Sequence, residues 1–355
     1  MMTGARKKIT ILSILLGAAL IGAAVGVYLN LQLNREKELE RARVTLRVLT
    51  YKGLLSANLL KEFEEHAQIR VQTEEVANPE ELWDRLETSA LNPSQAFDLV
   101  SLFSYQVPLA AQLGRIRAID EEKLPNIGLV SPDFRYLPGE PAFKGVLPVL
   151  WGVVGVMHRE PTPPSFPKSW RELFSENRFK GKLALPSSTF LVWELGELLG
   201  TVPDLKKTVA KITSHAVVVS DFLTPASALT NESNPSVLVV SHGEAAFPPL
   251  QSPEWKFTIP GVGGFFWSLV FALHPYSRKV NEAHELLDFL LEFRSALSLS
   301  ENFRQASTNR RVEESDLDAR LGPSYLRQIP LHSLEIPKDF NRAREIRELL
   351  NQLNQ

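Results

Sequence analysis

Residues 261–273 read Gly-Val-Gly-Gly-Phe-Phe-Trp-Ser-Leu-Val-Phe-Ala-Leu. The glycines let the backbone turn sharply or approach a ligand closely. The unbroken apolar and aromatic run that follows is the pattern of a strand buried on both faces. Such a strand needs cover above and below it, as in a layered α/β fold. Pro275 ends the run, and the apolar spacing predicts an amphipathic helix over 280–293.

The first part of the chain supplies the alternating elements. Residues 45–51 (TLRVLTY) alternate and are β-rich, predicting a first strand. Helices are expected over 54–66, with Leu59, Leu60 and Phe63 on one face, over 79–89, with Leu82, Trp83 and Leu86 apolar, and over 107–113. Strands are expected over 69–75 and 97–100. The order βαβαβα is that of a doubly wound lobe, in which ligands bind beyond the carboxyl ends of the strands. The loops there carry Tyr51, Lys52 and Gly53, and Phe103, Ser104 and Tyr105. A second long apolar strand with a tryptophan covers 145–156, and shorter buried strands cover 217–219 and 237–240. The latter leads into Ser241, His242, Gly243 and Glu244. Residues 340–353 form an amphipathic pattern with interleaved charges.

The amino terminus bears on the compartment. Arg6, Lys7 and Lys8 precede a charge-free run over 9–29. As a helix this run is about 30 Å long, enough to span a bilayer. Basic residues in front of it place the remainder outside the cytoplasm. A cleaved signal would use Gly22-Ala23-Ala24 as its small-residue site, whereas an uncleaved anchor would use the whole run. The apolar character continuing over 25–33 favours the anchor. Residues 34–43 (NREKELERAR) form a charged spacer. The chain contains no cysteine, which excludes disulfides, thiolate chemistry and an acylated lipoprotein cysteine. Its net charge of -2 gives no signature of nucleic-acid binding.

Several landmarks occur in a recognisable order: Pro148-Val149-Leu150-Trp151-Gly152, Trp170-Arg171-Glu172-Leu173, Lys180-Gly181-Lys182-Leu183, the Gly-Gly-aromatic-aromatic-Trp run, and Ser307-Thr308-Asn309. Over residues 46–312 the chain resembles the extracytoplasmic solute-binding proteins of ABC importers, specifically the spermidine/putrescine-binding group. The resemblance implies a two-lobed periplasmic-binding-protein fold of type II, each lobe a doubly wound sheet with flanking helices. With the membrane anchor or signal segment taken as 1–33 and the charged spacer as 34–44, the resemblance divides the rest into lobe one over 45–148 plus 265–300, and lobe two with the carboxyl-terminal helix over 149–264 plus 301–355. It would aim Tyr51, Lys52, Tyr105, Trp151, Ser187, Ser188, Thr189, Ser241, His242, Trp267, Ser268 and Asn309 at the cleft.

Polyamine binders of this group grip ammonium groups with carboxylates and stack aromatic rings on the methylenes, because a cation leaving water needs anions or aromatic faces. Here the acidic position two residues after Trp267 is Leu269, the paired acids align with Ser188 and Leu191, and the acid after strand one falls near Gly53. An aromatic position is Ser241, and Trp267 and Tyr105 are retained. A neutral or anionic polar solute is therefore expected, unless acids such as Glu244 or Asp98 reach the cleft.

No Gly-x-Ser-x-Gly elbow or phosphate-binding loop occurs, and the 7 histidines are scattered. Ser187 and Ser188 suit a helix cap better than a nucleophile. The expected function is therefore solute capture for an importer permease, without enzymatic activity, cofactor or metal. The alternative is a membrane-tethered sensor or scaffold that keeps the fold without transport.

Overall fold

The computed structural model describes residues 44–135, 145–159, 169–186, 188–201, 204–219, 235–246, 253–261, 263–313 and 331–333, with isolated positions elsewhere. The candidate membrane segment and spacer over 1–43 lie outside these residues, apart from position 30, as does most of the 340–353 pattern. Among the described residues no helix is long and apolar enough to cross a membrane.

The first part of the chain alternates strand and helix. Strand β1 (Thr45–Tyr51) is followed by α1 (Ala57–Ala67), β2 (Arg70–Val76), α2 (Pro79–Leu91), β3 (Leu99–Phe103) and α3 (Val107–Gln112). Ser56 caps α1, its Oγ accepting from the Leu59 amide, and Leu59, Phe63 and Ala67 bury one stripe. Asn78 caps α2 by accepting from the Glu81 amide at 2.8 Å, with Pro79 in the first turn, where its missing N–H costs nothing. β1 pairs in parallel with both β2 and β3, so their carboxyl ends share one edge.

After the short helix α4 (Pro132–Arg135), strand β4 (Leu147–Arg159) runs for 13 residues, buried along all but its last position. Next come α5 (Trp170–Leu173), β5 (Leu183–Pro186), α6 (Thr189–Leu199), α7 (Leu205–Thr213) and β6 (Ala216–Val219). Strand β7 (Val237–Ser241) leads directly into α8 (His242–Ala245), followed by β8 (Trp255–Thr258). β7 and β6 flank β5 in parallel.

Strand β9 (Gly264–Leu273) is buried at every residue, as its composition predicts. It runs antiparallel to β3 on one side and to β4 on the other. Two separate sheets were expected, but the strands form a single sheet of order β2-β1-β3-β9-β4-β7-β5-β6. The β4–β9 pair from Leu147↔Phe271 to Val154↔Phe265 is the seam between its halves. The two long apolar runs are the reason: each is long enough to serve both halves and buried enough to lie mid-sheet. The helix expected over 280–293 is α9 (Val280–Leu290), and a further helix, α10 (Phe293–Phe303), follows it, with Glu292 extended between them at ψ 148°. Strand β10 (Ala306–Ser307) pairs with β4, α11 (Arg310–Glu313) follows, and β11 (Leu331–Ser333) pairs with β9.

Candidate functional site

Tyr51 is the last residue of β1 and Phe103 the last of β3, so the parallel pairing brings them to one edge. Their rings lie 4.9 Å apart. Tyr105, in the turn after β3, stacks on Phe103 at 5.5 Å with the planes only 2° from parallel. The Trp267 indole meets Phe103 edge-on at 5.1 Å and 80°. Its other side packs over Gly152 across the seam: a Cβ at that glycine would overlap the indole and sit 2.8 Å from the Ser241 hydroxyl. The glycine in the Trp-Gly sequence is thus what admits the indole to the floor between the halves.

Gln106 holds the first-half side of this cluster together. Its Oε1 accepts from the Tyr51 hydroxyl at 3.2 Å and from the Phe103 amide at 2.9 Å. Its Nε2 donates to the Pro79 carbonyl at 3.3 Å, fixing the start of α2 beside the rings. Burial, then the negative charge of Glu80, pushes the Tyr51 phenol well above its usual range. Burial, then Tyr51 and Glu80, does the same to Tyr105. Both phenols therefore remain neutral at physiological pH.

The second half contributes Ser241, at the carboxyl end of β7, whose Oγ donates to Gln305 Oε1 at 2.7 Å. His242 Nδ1 accepts from the Val153 amide at 2.9 Å, which places the ring proton of the neutral imidazole on Nε2. The His242 ring lies 5.0 Å from Trp151. Buried Glu244 pairs with Arg304 at 3.9 Å. Phe303 approaches Tyr51 at 6.2 Å, so residues 303–305 run from the first-half rings to the Ser241 turn.

Of the residues singled out in the sequence, Tyr51, Tyr105 and Trp267 share one cluster, with Ser241 beside it. Lys52 follows Tyr51 with its side chain exposed and its amide donating to Val76 O at 2.9 Å. Trp151 stacks on Phe134 at 5.3 Å and donates its indole N–H to Ser307 O at 3.1 Å. Ser268 donates from Oγ to Leu150 O at 2.8 Å. The Asn309 amide donates to Leu291 O at 2.6 Å and accepts from the Arg311 amide at 2.9 Å. These bonds commit the polar groups of all three residues to holding the seam and its neighbours. Ser188 is buried and caps α6, accepting from the Leu191 amide at 3.4 Å. Ser187 lies outside the described residues; Thr189 opens α6, but its side chain is likewise outside the description.

Phe103, read in the sequence only as part of the loop after β3, sits in the middle of the rings, and Gln106, Glu80 and Gln305 lie around them without having been singled out. A glutamine after a strand and a glutamate in a helix's first turn carry no signal of their own until the strand edges are aligned. Asp98 lies at the opposite end of β3, where its carboxylate accepts from the Arg47 amide, the Ser277 hydroxyl and Lys279 Nζ. It therefore serves the fold away from this cluster. Among the described residues no three His, Cys, Asp or Glu side chains gather as a metal site would require.

No family model matches the chain. The spermidine/putrescine-binding periplasmic protein of Escherichia coli (strain K12) is 23% identical over 279 residues, covering 75% of this chain and 78% of that protein. The structure of a putative spermidine/putrescine ABC transporter from Listeria monocytogenes superposes with a TM-score of 0.72 at 20% identity, covering 88% of this chain and 99% of that one. The chain resembles the spermidine/putrescine-binding proteins of ABC importers. A substrate-binding protein of that name from Streptococcus pneumoniae superposes with a TM-score of 0.66 at 17% identity, over 88% of this chain and 98% of that one. The curled mixed sheet is thus the fold of periplasmic binding proteins, and these relatives are transport components rather than enzymes.

Proposed function

We propose that this chain is the extracytoplasmic solute-binding component of an ABC importer, holding a small polar solute between two lobes. Lobe one comprises 45–148 plus 265–300, and lobe two 149–264 plus 301–355. The solute would be delivered to a permease, with residues 9–29 anchoring the chain to the membrane.

One observation carries this reading: the rings of Tyr51, Phe103, Tyr105 and Trp267 gather at a strand edge, against Ser241 and Gln305 from beyond the seam. Aromatic faces and a few oriented polar groups at the carboxyl ends of strands are the elements of a small-molecule site. The rings are buried and contact one another. A solute therefore enters only when the halves part, and it replaces ring–ring contacts when they close. Hinge closure is such a motion, and the long β4 and β9 strands are the segments that would bend.

A thermal-shift screen of amino acids, amines, sugars and organic acids tests the reading. A binding protein is expected to melt about 3–8 °C higher with its own solute at a hundredfold excess over Kd. A broad screen in which nothing raises the melting temperature would count against it.

A further inference from the structure

The carboxamide of Gln305 bears on the kind of group the proposed site takes; the argument rests on the solute-binding reading above. Gln305 is fully buried, yet its Nε2 makes no hydrogen bond. Its Oε1 accepts from Ser241 Oγ at 2.7 Å, and its backbone N–H donates to Ser300 O at 3.2 Å. A buried donor without a partner gives up its hydration for nothing, so an amide left this way calls for an acceptor from outside the chain.

Two features of the fold keep the amide in place. Gly243 lies outside the left-handed region, so its missing side chain answers to space alone: a Cβ there would sit 2.6 Å from Gln305 Oε1 and 2.1 Å from Arg304 O. Ser241 stands at the N-cap of α8 but makes no capping bond, and its hydroxyl turns to Gln305 instead. The pair also adjoins the rings. The point where a Cβ on Gly152 would stand is 2.8 Å from Ser241 Oγ and 2.3 Å from the Trp267 indole. Ser241 is only half-buried, so the pair has an open side.

We infer that the Ser241–Gln305 pair binds an uncharged end of the solute, a hydroxyl or a carboxamide.

The hydrogen-bond inventory selects that end. With Ser241 donating to Oε1, the pair presents the Nε2 protons and the lone pairs of Oγ. With the carboxamide turned over, it presents the Ser241 proton and Oε1. In both arrangements one donor and one acceptor remain side by side. A hydroxyl or a carboxamide carries one of each and satisfies both. An ammonium carries donors only, so it would leave Nε2 unpaired and facing a cation. A carboxylate carries acceptors only and would leave an oxygen of the pair unmatched. Neither Ser241 nor Gln305 brings a charge to offset the desolvation of an ion. Both phenols of the ring cluster are neutral as well, since burial holds them protonated.

Titration calorimetry on the full-length protein in mild detergent tests this with 4-aminobutyramide, 4-amino-1-butanol and putrescine. These are of similar length, share an ammonium end that aromatic faces can take, and differ at the other end. The unmodified protein is expected to bind the amide or the alcohol at least about tenfold more tightly than putrescine, because a site built for hydrogen bonds rejects a ligand that leaves them unmade. Which of the two is tighter tells carboxamide from hydroxyl. Gln305→Glu puts an anion where the donor was and is expected to shift the ratio by about tenfold or more toward putrescine. Gln305→Met, without a donor, should melt no lower than the unmodified protein when no solute is present, and should bind the preferred ligand about tenfold more weakly. Tighter binding of putrescine by the unmodified protein would overturn the inference, as would an unchanged ratio in Gln305→Glu. A lower melting temperature with unchanged affinity in Gln305→Met would assign the amide to packing or a bound water, and would also overturn it. If none of the three binds but a screened solute does, Gln305→Glu is compared on that solute. Unchanged affinity then overturns the inference and leaves the solute-binding reading standing, and at least tenfold weaker binding of a solute bearing a hydroxyl or carboxamide supports both. If no solute binds, both fail.

Discussion

Gly152 and Trp267 form one unit, since the indole occupies the space a side chain at 152 would take. Gly152→Ala should therefore cost about 1–3 kcal/mol in denaturant unfolding, the range for overpacking a filled core. Because the displaced indole also belongs to the proposed site, the same change should weaken solute binding; an unchanged affinity would remove Trp267 from that proposal. His274 sets a pH dependence away from the cluster. It is fully buried, contacts Ser89 Oγ through Nε2 at 3.0 Å and accepts from the Tyr276 amide through Nδ1. Burial lowers its pKa from 6.5 to about 4, with Asp98 opposing the shift and Arg47 adding to it. The folded state thus resists a proton that the unfolded state accepts. Stability should fall as pH drops from about 6.5 toward 4, by roughly 2–4 kcal/mol from this group, and level off below. Urea unfolding between pH 7.5 and 4 should show a shallower slope in His274→Gln; an identical slope would assign the pH effect elsewhere.

At the scale of elements, the two long strands explain how much could be read in advance. The 45–51 strand coincides with β1, because alternation, β-branching and a following Lys-Gly turn all agree there. Trp267 lies in a run whose pattern fixes its strand and Tyr105 just after one, so their place at the strand edges could be read in advance. The single sheet was not legible: antiparallel pairing of β4 with β9 is a long-range choice that neither run's composition specifies. Glu80, Gln106 and Gln305 escaped notice because each acts through a neighbouring element. Gln106, for example, matters only because α2 begins beside it. One element can be improved. Helix α1 ends on Gln68 at φ 58°, where glycine carries no Cβ penalty. Gln68→Gly should raise stability by about 0.5–1 kcal/mol, seen as a higher urea midpoint at unchanged slope. A lower midpoint would mean that the bond from Gln68 Nε2 to Glu65 O outweighs the relief.

At the scale of the molecule, the halves meet through a seam of two strands and a strap over 303–305 that links Tyr51, Ser241 and Glu244. An arrangement with its rings closed on one another, bridged by a thin strap, is suited to opening about its two long strands. We propose that a solute is held by closure of these halves. Small-angle scattering on the full-length protein, with and without a solute selected by thermal shift, tests it most directly. A broader distribution of interatomic distances is expected without solute, and contraction to a single compact form when the site is saturated. Identical profiles at saturation, with binding verified by calorimetry, would contradict it.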